Sequence, residues 1–321
     1  MNDDNLWDRS GPPDPEIQRL EEMLAPFRYQ IRRLEDKGPR PFRAWRLTAA
    51  AAVVLAIAAG VLWRAKAPAP EATPWSVEGI EGQARFGSRP AAMAMTVPGG
   101  QAVRTGPDGR LTLVAEDTGR VDLGPDSILH ASSGRKLALE RGGLHAYIWA
   151  RPGQFVVDTP SARAIDLGCE YTLTVDARGD GRLRVSLGWV AFQYAGHESF
   201  IPAGAECATH VHGGPGVPFF EGAPEGLRRA VARFDANDPG AMAEILADAR
   251  ERDGLTVWHL LTRVAARDRG VVFDRFATLV KLPAEVRREA AVRGDARAID
   301  QCWNALGLED TDWWRGWERK W

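Results

Sequence analysis

The 321-residue sequence predicts a mainly β fold, a sandwich or jelly-roll-like domain, followed by a C-terminal α-helical domain and preceded by one transmembrane helix. Three observations carry that reading. Residues 47–63 (LTAAAAVVLAIAAGVLW) form an apolar run with no charge. From Trp75 to about Thr209, short alternating runs are separated by turn residues, the pattern of half-buried strands. From about Pro224 onward the apolar spacing changes to three and four, the period of a helix.

The apolar run lies between Arg46 and Arg64. As a helix it spans about 26 Å, near the lower limit for a bilayer core. Being apolar on every face, it reads as a span rather than one helix of a soluble domain. Trp45 and Trp63 stand where interfacial aromatics anchor such a helix. Arg28, Arg32, Arg33, Lys37, Arg40, Arg43 and Arg46 precede it, and only Arg64 and Lys66 follow closely. Basic flanks stay inside, which predicts a single-pass protein of the inner membrane with residues 1–46 cytoplasmic and the bulk of the chain periplasmic. Ala65-Lys66-Ala67 has the form of a cleavage site, but Pro68 after the cut and the long leader favour an uncleaved anchor.

With 45% hydrophobic and 26% charged residues, the chain has the composition of one large or two medium globular units. A net charge of −2 gives no electrostatic case for direct nucleic-acid binding. The composition shifts divide the sequence into a cytoplasmic segment 1–46, the span 47–63, a Pro-rich linker 64–74, a β domain 75–215 and a helical domain 224–321.

In the cytoplasmic segment, Asp14-Pro15 has the chemistry of a helix start. Ile17, Leu20, Leu24, Phe27, Ile31 and Leu34 then share one stripe, and Pro26 interrupts it. A short helix cannot bury such a stripe alone, so residues 14–36 are expected to bind a partner or a second copy of the same helix, with Ile17, Leu20, Leu24 and Phe27 at the interface. In the β region, strands are expected around Leu111–Leu113, Leu137–Leu139, Phe155–Val157, Tyr171–Val175 and Leu183–Leu187. Turns are expected at 106–109, 117–119, 133–134 and 179–181.

The order of these pieces resembles the FecR domain of bacterial sigma-factor regulators. The matching stretches are Gly100-Gln101-Ala102-Val103-Arg104-Thr105-Gly106, Val121 to Ser127 (VDLGPDS) and Leu137 to Gly142 (LALERG). Most specific are Phe155 to Pro160 (FVVDTP), Leu167-Gly168-Cys169-Glu170-Tyr171 and Gly188-Trp189-Val190. The resemblance extends over residues 75–210 and implies a single-span regulator whose cytoplasmic helix binds an extracytoplasmic-function sigma factor. The alternative is an anchored periplasmic binding or scaffold protein of the cell envelope, with no sigma factor. The ligand or partner outside the membrane is not legible in either case. Two departures stand out: Cys169 occupies the place where the family usually has Thr, and helices replace the usual receptor-facing region.

Those helices are marked by Leu227/Val231/Phe234, Met242/Ile245/Leu246, Val257/Leu260/Leu261/Val264, Phe273/Phe276/Leu279/Val280 and Val286/Ala290. Asp238-Pro239 and Leu282-Pro283 read as starts, and Gly254, Gly270 and Gly294 as stops. Trp303, Trp313, Trp314, Trp317 and Trp321 close the chain, as core fillers or as a docking surface.

No enzyme signature is present: there is no nucleophile elbow and no phosphate loop. No cofactor is implied. Cys207, His210 and His212 match no standard zinc spacing, so no metal site is expected. One position has a chemical case. Some FecR-type regulators resemble proteins that cleave themselves at the Gly-Thr bond of this motif, and Gly168-Cys169 stands in its place. Cys169 has three readings: a buried inert thiol, a disulfide with Cys207, or the nucleophile of such a cleavage.

Overall fold

The computed structural model describes residues 15–25 and 73–308. The expected span 47–63 and the linker up to residue 72 lie outside them. Among the described residues no helix is long and apolar enough to cross a membrane. The chain divides into two compact units, Met1–Pro68 and Ala69–Trp321. In the first, helix α1 (Pro15–Leu24) opens on the expected proline and stops before Pro26, whose ring disfavours a helical predecessor. Ile17, Leu20 and Leu24 fall within it, while Phe27 lies outside the described residues.

Among the described residues of the second unit, seventeen strands form two antiparallel layers joined through one long strand. The first layer runs β1 (Ser76–Glu81), β5 (Arg110–Ala115), β6 (Gly119–Leu123), the second half of β8 (Lys136–Ile148), β11 (Glu170–Val175), β12 (Gly181–Leu187) and β15 (Ala205–His210). Short strands β16 (Gly214–Pro215) and β17 (Phe219–Phe220) extend β15. The other layer runs β3 (Arg89–Pro90), β2 (Ala84–Phe86), β4 (Ala102–Thr105), β7 (Ile128–Ser133) and the first half of β8. It continues through β9 (Val156–Asp158), β10 (Arg163–Asp166), β13 (Trp189–Tyr194) and β14 (His197–Pro202). Only the β8–β9 pair in this layer is parallel.

The alternation read from the sequence places the side chains. On β11, Tyr171, Leu173 and Val175 are buried while Thr172 and Thr174 face solvent. On β5, Leu111 and Leu113 are likewise buried. The expected turns at 106–109, 133–134 and 179–181 connect β4 to β5, β7 to β8 and β11 to β12. β8 leaves one layer for the other at Gly142, whose φ is +97°.

Helices α2 (Glu225–Asp235), α3 (Ala241–Asp248), α4 (Gly254–Arg263), α5 (Arg269–Leu279), α6 (Arg288–Arg293) and α7 (Ala296–Asn304) follow. They build on the same core as the strands, centred on α4, whose residues 254–261 are all buried. Such an all-round buried helix needs its polar side chains satisfied. Thr256 donates to the Pro218 carbonyl (3.0 Å), and Trp258 Nε1 to Ile299 (3.1 Å). His259 Nδ1 donates to Leu255 (2.9 Å), leaving Nε2 to accept the Phe200 N–H on β14 (3.1 Å). Burial pushes the His259 pKa down to about 3, which keeps the ring neutral for that acceptor role.

Three helix boundaries differ from expectation. Gly254 closes the short 3-10 helix Glu251–Asp253, as expected of a stop, but α4 begins on it directly, and a Cβ there would lie 2.9 Å from Val280 Cγ2. Gly270 falls in the first turn of α5, not after a helix. Leu282-Pro283 enters a turn closed by Val286 N–H on the Pro283 carbonyl (3.1 Å), and α6 begins only at Arg288. Gly294 does terminate α6, with φ +78°. Asp238 precedes α3 by three residues and accepts the Gly240 N–H (2.9 Å).

Candidate functional site

The first candidate element is α1. Leu20 is 55% exposed, Met23 68% and Leu24 58%, so residues i, i+3 and i+4 form a bare apolar ridge on a ten-residue helix. Met23 extends the stripe beyond the residues selected from the sequence, and its i+3 spacing from Leu20 is the signal that places it there.

The second element surrounds Gly168-Cys169, where β10 ends and β11 begins. Gly168 takes φ +87°, a conformation that turns the chain between the two layers. Its carbonyl is pressed against Gly188: a Cβ there would lie 1.9 Å from Gly168 O. The pairing of Gly168-Cys169 with Gly188-Trp189 in the sequence motif is thus a physical contact between two glycine-bearing bends.

Asp166 organises this bend. Its Oδ1 accepts the Gly168 N–H (2.7 Å), and its Oδ2 accepts the Cys169 thiol. Asp166 is 1% exposed, and burial raises its carboxyl to about 7 despite those two donors. Burial, then the Asp166 charge, push the Cys169 thiol well above its ordinary value. Tyr171, buried beside them, is pushed up for the same reason, and its hydroxyl has no hydrogen-bond partner among the described residues. A thiol held neutral is a poor nucleophile and packs as a small apolar group.

The disulfide reading of Cys169 and Cys207 is corrected: both are free and buried, as is Cys302. Cys207 on β15 is level with Leu183 on β12, which is level with Leu173 on β11. Cys169 is therefore two strands and four residues away, on the order of 16 Å, far beyond disulfide reach. Cys207 Sγ instead donates to the Gly216 carbonyl (3.2 Å). Among the described residues no group of three or more His, Cys, Asp or Glu side chains is placed to hold a metal.

Asp166 was not selected from the sequence, although a lone acid inside Ala164-Ile165-Asp166-Leu167 is the signature of a buried carboxyl. Its titration yields a prediction. The folded value of about 7 exceeds the reference 3.8, so the folded state binds the extra proton between those values and loses stability as pH rises through them. Asp166→Asn is expected to be more stable than the parent at pH 8 by up to on the order of 4 kcal/mol, with the gap closing near pH 4. Urea midpoints of both proteins at the two pH values measure it; a gap independent of pH would remove the buried-carboxyl account.

Comparison with known proteins places these bends within a recognised domain. Residues 101–190 match the family model described as "FecR protein", from the start of β4 to the beginning of β13. This is shorter than the 75–210 extent of the resemblance and includes Gly168, Cys169 and Gly188. Two crystal structures of a candidate anti-sigma factor from Parabacteroides distasonis, at 1.65 and 2.50 Å resolution, align with TM-scores of 0.31 and 0.30. Each is 14% identical over 33% of this chain and 53% of the other, so the chain spans about half the length of these structures. No curated protein sequence matches.

Proposed function

We propose that the chain carrying this FecR domain is a single-span inner-membrane signalling regulator, in which α1 is the cytoplasmic element that binds an extracytoplasmic-function sigma factor. The observation that carries the reading is the bare ridge Leu20, Met23 and Leu24. Ten residues are too few for a helix to persist in water on propensity alone, so the ridge needs a covering surface. The run at 47–63 and its basic upstream flank would put that ridge in the cytoplasm and residues 101–190 outside. The FecR family is regulatory rather than enzymatic, which supports the reading.

Full burial of a leucine side chain contributes about 1.5–3 kcal/mol, so two leucines suffice for more than about a hundredfold in affinity. In the full-length protein, Leu20→Asp with Leu24→Asp is expected to abolish co-purification with a sigma factor encoded beside its gene. Glu22→Gln, an exposed position off the ridge, should retain it. Equal capture by the double variant and the parent would remove α1 from the interface. No capture by the parent would favour the envelope-scaffold reading.

A further inference from the structure

The outer face of the first β layer carries a polar row that neither the packing nor the regulator reading explains. Across successive strands the register aligns Thr112, Asp122, His145, Thr172 and Arg184, with the buried Glu206 at the end of the row. These side chains are held in fixed mutual geometry. Thr112 Oγ1 donates to Asp122 (2.6 Å), Arg120 chelates the same carboxylate (3.2 Å), and His145 Nε2 meets Glu170 (2.9 Å). Beside the row the floor is made of Gly79, Gly124 and Gly143, which leave a hollow of about 620 Å³. That is within the range of small-ligand sites.

Two aromatic rings stand farther along the same face, at and just beyond the end of β8, outside the lining of the hollow. Tyr147 lies on the same face as His145, between Arg120 and Glu170 on the neighbouring strands, and Trp149 follows it. The rings meet edge to face with centroids 5.9 Å apart. Both are about half exposed, 47% and 48%, although aromatic rings are costly to leave in water. Trp149 is fixed in orientation by its Nε1–H on the Glu116 carbonyl (2.8 Å). The face thus presents rigid apolar plates beside planar carboxylate, guanidinium and imidazole groups.

Charge decides among ligand classes. Arg120 pairs with Asp122 and Glu78, His145 with Glu170, and Arg182 and Arg184 with Glu206. Among the described residues no guanidinium here is left without a carboxylate, so the face offers no unpaired cation to a polyanion. The groups suit a ligand with many hydroxyls and apolar C–H faces. Pairs of hydroxyls can bridge the planar side chains while pyranose faces stack on the rings. We propose that this face is a binding site for a neutral oligosaccharide. The proposal rests on the β domain alone and is independent of α1.

The test is calorimetric titration of the full-length protein, in a detergent without a sugar head group, with cellohexaose, laminarihexaose and chitohexaose, and with a heparin hexasaccharide as polyanion control. At least one neutral hexasaccharide is expected to bind with Kd about 1 mM or tighter, and more tightly than the heparin fragment. Tyr147→Ala and Trp149→Ala should each weaken it about tenfold, and Trp149→Phe by no more than about threefold. Asp122→Asn, which keeps the shape but removes the charge, should also weaken binding without altering the thermal midpoint by more than a few degrees. The proposal is overturned if no neutral hexasaccharide binds at about 10 mM, if heparin binds best, or if folded Tyr147→Ala and Trp149→Ala bind as the parent does.

Discussion

Replacing Trp303 by Ala is expected to cost about 3–5 kcal/mol, a large share of the stability of a domain this size. Trp303 is fully buried on α7, yet its neighbours come from three directions. Its ring centroid is 4.8 Å from that of Trp258 on α4, 5.7 Å from Trp189 on β13 and 5.9 Å from Phe200 on β14. The last two are strand residues, so this side chain is one of the contacts that fasten the helices to the sandwich, beside the His259–Phe200 hydrogen bond. Removing it leaves a cavity whose walls belong to elements that cannot all collapse together. Urea unfolding followed by tryptophan fluorescence and by circular dichroism measures the loss. Trp303→Phe should recover part of it. A cost under about 1 kcal/mol would mean that the helical layer is held by other contacts.

Gly142→Ala is expected to cost about 2–5 kcal/mol, from about 1–2 for a left-handed backbone and about 1–3 for overpacking. Gly142 sits where β8 passes between layers, with φ +97°. A Cβ there would lie 2.1 Å from Ser127 Oγ and 2.4 Å from Ser127 Cα. Ser127 cannot withdraw freely. Its hydroxyl accepts the Gly143 N–H (3.0 Å), and its own N–H is bound by Thr105 Oγ1 (2.9 Å). The substitution therefore strains the bend and breaks the small network that pins it. Gly143→Ala is the control. Its φ is not left-handed, and its Cβ would meet nothing closer than 3.6 Å, so it should cost much less. Similar losses from both would show that the bend itself is not the constraint. Thermal midpoints of the two variants decide the matter.

Much of this architecture is legible in the sequence because it is local. The alternation at Tyr171–Val175 and Leu183–Leu187 assigns strands and faces from the pleat alone. Residues 106–109 and 179–181 mark turns because few residue types tolerate those backbone angles. The stripe through Leu20 and Leu24 follows from helical periodicity, and α1 bears it exposed. The Phe155–Pro160 and Gly168–Cys169 motifs were legible as family features, although the reason for them was not.

Tertiary structure alone decided the rest, because it depends on which distant residues meet. Cys169 and Cys207 look pairable on a list of three cysteines, but the strand register sets them two strands apart. Gly254 reads as a helix stop by composition and does close the 3-10 helix Glu251–Asp253, but only the fold shows that α4 begins on the same residue. Asp166 gains its raised pKa only when β10, β11 and Gly188 close around it, since desolvation is a property of the folded neighbourhood. The row from Thr112 to Glu206 is drawn from six strands separated by up to ninety-odd residues, and no local pattern announces it. Periodicity determines the face on which a side chain stands, but only the pairing of strands determines what stands beside it.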